Sequence, residues 1–359
     1  MAAIHLKNVA HSYIESPKSQ ADFALKQLDH VWEDGGAYAL LGPSGCGKTT
    51  LLNIISGLLK PSEGCVLFGE EDVTETDTSQ RNIAQVFQFP VIYDTMTVRE
   101  NLAFPLRNRG VPVKEIIKRV DEVAGMLGLG DQLDNRASGL SADMKQIISL
   151  GRGLVRSDVN AILFDEPLTV IDPHMKWVLR TKLKELHRQF GFTMVYVTHD
   201  QTEALTFADK VVVMHDGEVV QIGTPEELFA KPAHTFVGYF IGSPGMNVLP
   251  AKVDGNDAVI DTMTIKLTQS YGALSGDVEI GIRPEFLKLV PADKSDIHVH
   301  INSIEDVGRH KIARCQLGEQ TLAVVVPENE HVPIGTMGIK FDPAHTHVYQ
   351  NSRLIEGVS

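Results

Sequence analysis

Nine residues, GPSGCGKTT at 42–50, place Gly42, Gly47, Lys48 and Thr49 at the spacing of a phosphate-binding loop. Phosphate oxygens need several donors converging on one point. Glycines let a backbone turn its amides inward, and a following helix adds the positive end of its dipole. In such a loop Gly42, Pro43, Ser44, Gly45, Cys46, Gly47, Lys48, Thr49 and Thr50 surround a nucleotide's phosphates. Lys48 reaches the β- and γ-phosphates, and the Thr49 hydroxyl binds Mg2+. An apolar strand ("AYALL") precedes the loop and an apolar helix ("TTLLNIISGLL") follows it. That context separates the motif from a chance glycine-rich turn.

Three more segments end an apolar run in a polar side chain. In ILFDEP (162–167) three apolar residues bury a strand, and Asp165 emerges at its C-terminal end, where an acid can hold Mg2+. Glu166 follows and can polarise an attacking water, or be a plain charge at a strand end. VYVTHD (195–200) ends in His199, which can bond a γ-phosphate if its strand lies beside ILFDEP. A lone histidine is otherwise more often structural. Gln88, in VFQFP, follows another strand and by itself reads as a surface glutamine.

These residues need a scaffold that gathers strand ends. Strand, Gly-rich loop and helix in succession predict an α/β layer with a parallel core. Residues about 97–157 are helical in pattern; in SADMKQIISLGRGLV, Met144, Ile147, Ile148, Leu154 and Val155 recur at helical spacing. HMKWVLRTKLKELHRQF reads as an amphipathic helix, and KVVVMHDGEVVQIG as a hairpin turning at Asp216-Gly217. After about residue 240 a Gly- and Pro-rich stretch leads into short β-like runs, which suggest a small barrel or sandwich. The expected domains are 1–240, with a helical subdomain at about 89–158, and 241–359.

A chain of 359 residues suits two domains. A net charge of −13 and a pI near 5.5 argue against a nucleic-acid partner or broad attraction to anionic lipid. Cys46, Cys65 and Cys315 are too widely spaced for a disulfide framework or a zinc site, and suit a reducing cytoplasm. The N-terminus does not read as a signal peptide, and no apolar run approaches 18 residues. Any membrane role is expected to run through partners.

Taken in order, the motifs resemble those of the ATPase subunits of ATP-binding cassette (ABC) importers, in the sugar and polyol branch with a C-terminal regulatory domain. GPSGCGKTT resembles the Walker A loop, and ILFDEP the Walker B strand with its catalytic glutamate. VTHDQTEAL resembles the switch-histidine segment, VFQFP the Q-loop and TVIDP the D-loop, with Asp172 as its aspartate. GIRPE (281–285) is similar to a motif of the small appended barrel. The resemblance covers nearly the whole chain. It implies a P-loop NTPase domain with an inserted helical subdomain, followed by an all-β OB-like (TOBE) barrel. It implies ATP and Mg2+ as cofactors. Glu166, His199 and Gln88 become catalytic, and Thr49, Gln88 and Asp165 the metal-facing set. Tyr13 sits where an aromatic stacks on adenine, although a core role fits a single tyrosine as well. The implied partners are two transmembrane permease subunits, a solute-binding protein and a second ATPase, assembled on the cytoplasmic face of the inner membrane. The apolar FPVIY (89–93) is either the permease contact or ordinary core.

One motif departs from the family. Its signature reads Leu-Ser-Gly-Gly-Gln, but here the register gives Leu140, Ser141, Ala142, Asp143, Met144, and Ile147 replaces an arginine. Ala142 and Asp143 add side chains where a backbone should approach phosphate. Asp143 is expected to cap the helix with its own carboxylate, to face a phosphate, or to turn outward and leave a divergent loop that still works. At roughly 5 Å and an effective dielectric near 20, the second costs about 3 kcal/mol per pair of charges. In this family the signature serves the neighbour's nucleotide. The expectation is therefore a heterodimer with a different ATPase, containing one competent and one weak site. The alternative is a regulatory subunit that binds nucleotide and hardly hydrolyses it.

Overall fold

The computed structural model describes residues 2–358. Along its first part come strands β1 (Ile4–His11), β2 (Leu25–Trp32) and β3 (Ala37–Leu41), helix α1 (Lys48–Ser56), and strands β4 (Glu63–Phe68), β5 (Glu71–Asp72) and β6 (Ile83–Val86). Helices α2 (Val98–Arg107), α3 (Val113–Leu127) and α4 (Ala142–Leu154) follow. Then β7 (Ala161–Asp165), α5 (Pro173–Phe190), β8 (Met194–Thr198), α6 (Gln201–Phe207), β9 (Lys210–His215) and β10 (Glu218–Gly223) complete the unit.

Two sheets organise these elements. The larger has the order β10-β9-β3-β8-β7-β6. Its members from β9 to β6 run parallel, and β10 returns antiparallel through a tight turn. That turn is the expected hairpin, with Asp216 at φ 46° and Gly217 at φ 75°. Strands β3 and β8 are buried along their whole length, as continuous apolar runs in a covered parallel sheet should be. The second sheet, β2-β1-β4-β5, is antiparallel. Its strands β2 and β4 had no counterpart in the sequence reading. Their burial is only partial, so their apolar pattern is diluted by exposed polar residues.

The helical segment forms as expected. Thr97 starts α2 with a capping box to Glu100, and Gly128 ends α3 in the left-handed conformation. At α4 the cap differs from expectation. Ser141, extended at φ −64° and ψ 162°, is the N-cap, and its hydroxyl accepts from the Met144 N–H at 3.4 Å. Asp143 already lies inside the first helical turn, so it does not cap.

The chain divides into Met1–Pro225 and Glu226–Ser359, about fifteen residues before the expected boundary at 240. Two short helices, α7 (Pro225–Ala230) and α8 (Thr235–Phe240), account for the difference. The buried Arg283, from GIRPE, donates to the carbonyls of Phe229 at 2.6 Å, Leu228 and Gly238 at 3.3 Å each, and also Ile241. One guanidinium thus fastens both helices to the strands that follow.

The second unit contains β11 (Asn247–Pro250), β12 (Lys252–Ile260), β13 (Met263–Tyr271), β14 (Val278–Ile282), β15 (Leu287–Val290) and β16 (His298–Asp306). It continues with β17 (His310–Leu317), β18 (Gln320–Pro327), β19 (Gly335–Phe341), β20 (Thr346–Gln350) and β21 (Arg353–Ile355). They pair antiparallel as β11-β14-β20-β21, β12-β13 and β15-β19-β16-β17-β18 around one apolar core that includes Ile280, Ile301, Leu317, Ile339 and Val348.

Candidate functional site

The strand order decides what lies together. Strands β3, β8, β7 and β6 are consecutive parallel neighbours, so their C-terminal ends share one edge. From that edge emerge the 42–50 loop after β3, His199 after β8, Asp165 and Glu166 at the end of β7, and Gln88 after β6. Four segments far apart in sequence thus meet on one ledge, where open α/β sheets bind ligands.

The loop is built around its glycines. Gly45 and Gly47 have φ of 82° and 99°, a region side chains disfavour. At Gly42 a Cβ would lie 2.3 Å from the Met214 carbonyl oxygen and 2.7 Å from Cys46 Sγ. Gly47 N-caps α1, so the helix begins without a side chain over its free amides. Lys48 is buried and donates to the carbonyls of Gly42 at 2.8 Å and Pro43 at 2.9 Å, with Cys46 Sγ at 3.8 Å. Its ammonium is therefore held inside the loop's concavity. Burial pushes the Cys46 thiol up, against the pull of Lys48, and makes it an inert wall. Ser44, Gly45 and Thr49 face solvent, whereas Thr50 is buried.

The acidic end is strained and charged. Burial raises the Asp165 carboxyl above its ordinary range, and the Glu166 charge adds to this. A hydrogen bond from the Thr49 hydroxyl and the charge of Lys48 oppose that rise. Glu166 has φ 45°, a costly conformation for a side chain of that length, and is held by its N–H bond to the Val197 carbonyl at 3.0 Å. Its carboxylate lies 3.2 Å from His199 Nδ1 and accepts from the Thr169 hydroxyl at 3.3 Å.

Tyr13 is 66% exposed, which removes the core reading. Its hydroxyl lies 3.1 Å from Thr50 Oγ1, and its ring meets His11 edge-on at 4.7 Å. The aromatic face is thereby fixed beside α1. Asp172 caps α5 by accepting from the His174 N–H at 2.9 Å. Phe89, Val91 and Tyr93 are 68%, 53% and 41% exposed, so 89–93 is a surface and not core.

Ser141, Ala142, Asp143 and Met144 form the start of α4. Among the described residues none of the four reaches the 42–50 loop by a hydrogen bond or ion pair. Asp143 is half-buried, and among the described residues its carboxylate has no partner. Further along α4 lies a residue the sequence reading missed. Gln146 is fully buried and donates to the carbonyls of Phe87 at 3.1 Å and Pro167 at 2.8 Å. It joins the segment before Gln88 to the segment after Glu166. A polar residue on the apolar face of an amphipathic helix was the available signal.

Comparison with known proteins agrees with this geometry. The ABC transporter family model matches residues 25–169, and the MalK OB fold domain matches residues 242–287. The sulfoquinovosyl glycerol transport ATP-binding protein SmoE of Agrobacterium fabrum is 35% identical over 97% of this chain and 98% of that protein. This chain belongs to the ABC transporter ATP-binding family. The sn-glycerol-3-phosphate import ATP-binding protein UgpC of Jannaschia is 36% identical over 91% of this chain and 93% of its own length. Among solved structures, cbiO1 from Clostridium perfringens, part of the ABC transporter complex cbiONQ, aligns with a TM-score of 0.57 at 29% identity, covering 64% of this chain and 90% of that one. The first unit is thus an ABC ATPase domain that binds ATP, and the second carries the OB fold appended to such ATPases. No helix among the described residues is long and apolar enough to cross a membrane.

Proposed function

We propose that this ATPase is the peripheral, ATP-hydrolysing subunit of an importer, working at the cytoplasmic face of the cell membrane on two permease subunits supplied by a solute-binding protein. The single observation behind this reading is the ledge that gathers Lys48, Asp165, Glu166 and His199. The relatives, which are named for sulfoquinovosyl glycerol and sn-glycerol-3-phosphate, point to a sugar, polyol or glycerol-phosphate solute.

Each side chain then has a distinct task. Loop amides and Lys48 hold the phosphates, and Tyr13 offers its exposed ring to the base. Thr49 at the start of α1, Asp165 at the end of β7 and Gln88 after β6 would hold Mg2+, since a hydroxyl, a carboxylate and an amide carbonyl are the oxygen donors that ion takes. Mg2+ held there would supply positive charge against the phosphates. Glu166 orients the attacking water, and His199, touching that carboxylate, steadies it and bonds the γ-phosphate. The exposed Phe89, Val91 and Tyr93 are the permease-facing surface.

Pairing with a second, different ATPase is part of this proposal. Asp143 would repel a neighbour's phosphate, whereas the contact of Glu166 with His199 and the buried Lys48 would serve a competent site facing a partner's signature. The test is turnover by this chain purified alone and co-expressed with a second ATPase from its own gene cluster. Turnover is expected to depend on the second ATPase. Full activity in an assembly containing this ATPase alone overturns the pairing. Changing Ala142→Gly, Asp143→Gly and Met144→Gln together should raise turnover of the lone chain roughly a hundredfold, the scale of relieving about 3 kcal/mol of charge repulsion. A regulatory subunit with little hydrolysis is the second reading, favoured by the same Asp143. Absence of turnover in every assembly would support it.

A further inference from the structure

Directly behind His199 lies a buried acid that none of these roles uses. Glu203, on α6, is 4% exposed. Its Oε2 accepts from the Thr198 hydroxyl at 2.8 Å and from the Tyr196 hydroxyl at 3.1 Å. Its Oε1 lies 3.7 Å from Lys176 Nζ on α5, the helix that Asp172 caps. Thr198 does double duty. Its Oγ1 donates to Glu203 and accepts from the Asp200 N–H at 3.0 Å. Asp200 in turn caps α6 by accepting from Thr202 N at 2.7 Å and Glu203 N at 3.1 Å. The residues on both sides of His199 are thus closed into a ring of hydrogen bonds anchored on one carboxylate.

We propose that Glu203 is a positioning residue for the His199–Glu166 pair, acting through Thr198. A buried carboxylate without a partner is costly, so its position here implies that its bonds are needed. His199 itself is more than half exposed, and among the described residues its ring nitrogen contacts the Glu166 carboxylate alone. Its ring is therefore directed by its backbone, and that backbone is fixed by residues 198 and 200. The bond from Tyr196 serves a different purpose. It only closes the donor set around Glu203, since the Tyr196 ring packs in the core against Phe164 and Phe207. The two hydroxyls bond the same oxygen, but only one lies on the route to His199.

That asymmetry gives the test, which rests on His199 having the role proposed above. Thr198→Val, Tyr196→Phe, Glu203→Gln, Glu203→Ala and His199→Ala are compared in the full-length protein assembled with its partners. Thr198→Val is expected to lower kcat roughly ten- to a hundredfold, as misplacing a reacting group by about an ångström does, with KM for ATP unchanged. Tyr196→Phe should keep kcat within about twofold. Glu203→Gln, which retains an acceptor for both hydroxyls, should recover most of what Glu203→Ala loses. The His199 ring resonance, assigned by its loss in His199→Ala, should shift in Thr198→Val and hold in Tyr196→Phe. Equal effects of Thr198→Val and Tyr196→Phe on kcat and on this resonance would overturn the proposal and leave Glu203 a packing residue. If His199→Ala keeps full turnover, the role of His199 fails first, and the resonance alone still decides whether Glu203 positions the ring.

Discussion

His199 Nδ1 lies 3.2 Å from Glu166 Oε2, although 33 positions separate the two residues in the chain. Adjacent parallel strands β7 and β8 create that contact, and the left-handed backbone at Glu166 aims its carboxylate along the ledge. Glu166→Gln keeps the shape and removes the charge. It should retain ATP binding within about threefold while lowering turnover at least a hundredfold, the scale of losing a general base. Equilibrium ATP binding and single-turnover hydrolysis measure the two halves. A variant that hydrolyses normally would remove Glu166 from the chemistry.

Asp165 predicts a trade between stability and function. Its carboxyl is raised by burial and by the Glu166 charge, so the fold disfavours its ionised form. The sign follows: a folded value above the unfolded one means that stability falls as pH rises from about 4 through the raised value. Asp165→Asn should therefore melt higher than the parent at pH 7 without divalent cations, and the gap should close below about pH 4. The same variant should lose the added stabilisation by Mg2+ with ATP. Thermal melts across pH check both. An Asp165→Asn variant that melts with or below the parent at pH 7 would contradict the linkage.

Tyr13 separates ring from hydroxyl. The ring is exposed and the hydroxyl touches Thr50. If the ring carries the base, Tyr13→Ala weakens ATP binding about tenfold and Tyr13→Phe changes it less than about threefold, since base–aromatic stacking is worth about 1–3 kcal/mol. Titration with a fluorescent ATP analogue distinguishes them. Equal losses in both variants would assign the effect to the Thr50 bond instead.

Arg283 predicts where the second unit fails. Removing its guanidinium leaves the carbonyls of Leu228, Phe229, Gly238 and Ile241 without that donor, and removes a cation stacked 4.0 Å over the Phe229 ring. Arg283→Met should cost about 3 kcal/mol or more, because carbonyls of α7, α8 and Ile241 lose a charged donor. Amide exchange should accelerate first at Gly238 and Ile241, whose N–H groups bond within α8. Unchanged protection there would show that α7 and α8 are held by other means.

The chemistry was legible in the sequence wherever a few consecutive residues must act together. The 42–50 loop needs glycines at fixed spacing, and ILFDEP needs an apolar run that ends in acid, so each motif carries its own local physics. The amphipathic helices and the Asp216-Gly217 hairpin were legible for the same reason. What the sequence did not resolve is long-range. Tyr13 and 89–93 read equally well as core or surface, because burial depends on neighbours distant in sequence. Gln146 and Glu203 drew no attention, since a polar residue in a helix acquires meaning only from the carbonyls and hydroxyls that other strands bring to it. Whether Asp143 caps α4 was open in the sequence, and the backbone decides it by placing Ser141 at the extended position that capping requires. The sequence by itself determined the glycine-lined turn with its lysine and the apolar runs that end in polar side chains. Only the tertiary structure decided which of them meet, because strand order, set by packing over the whole sheet, is what brings their ends to one edge.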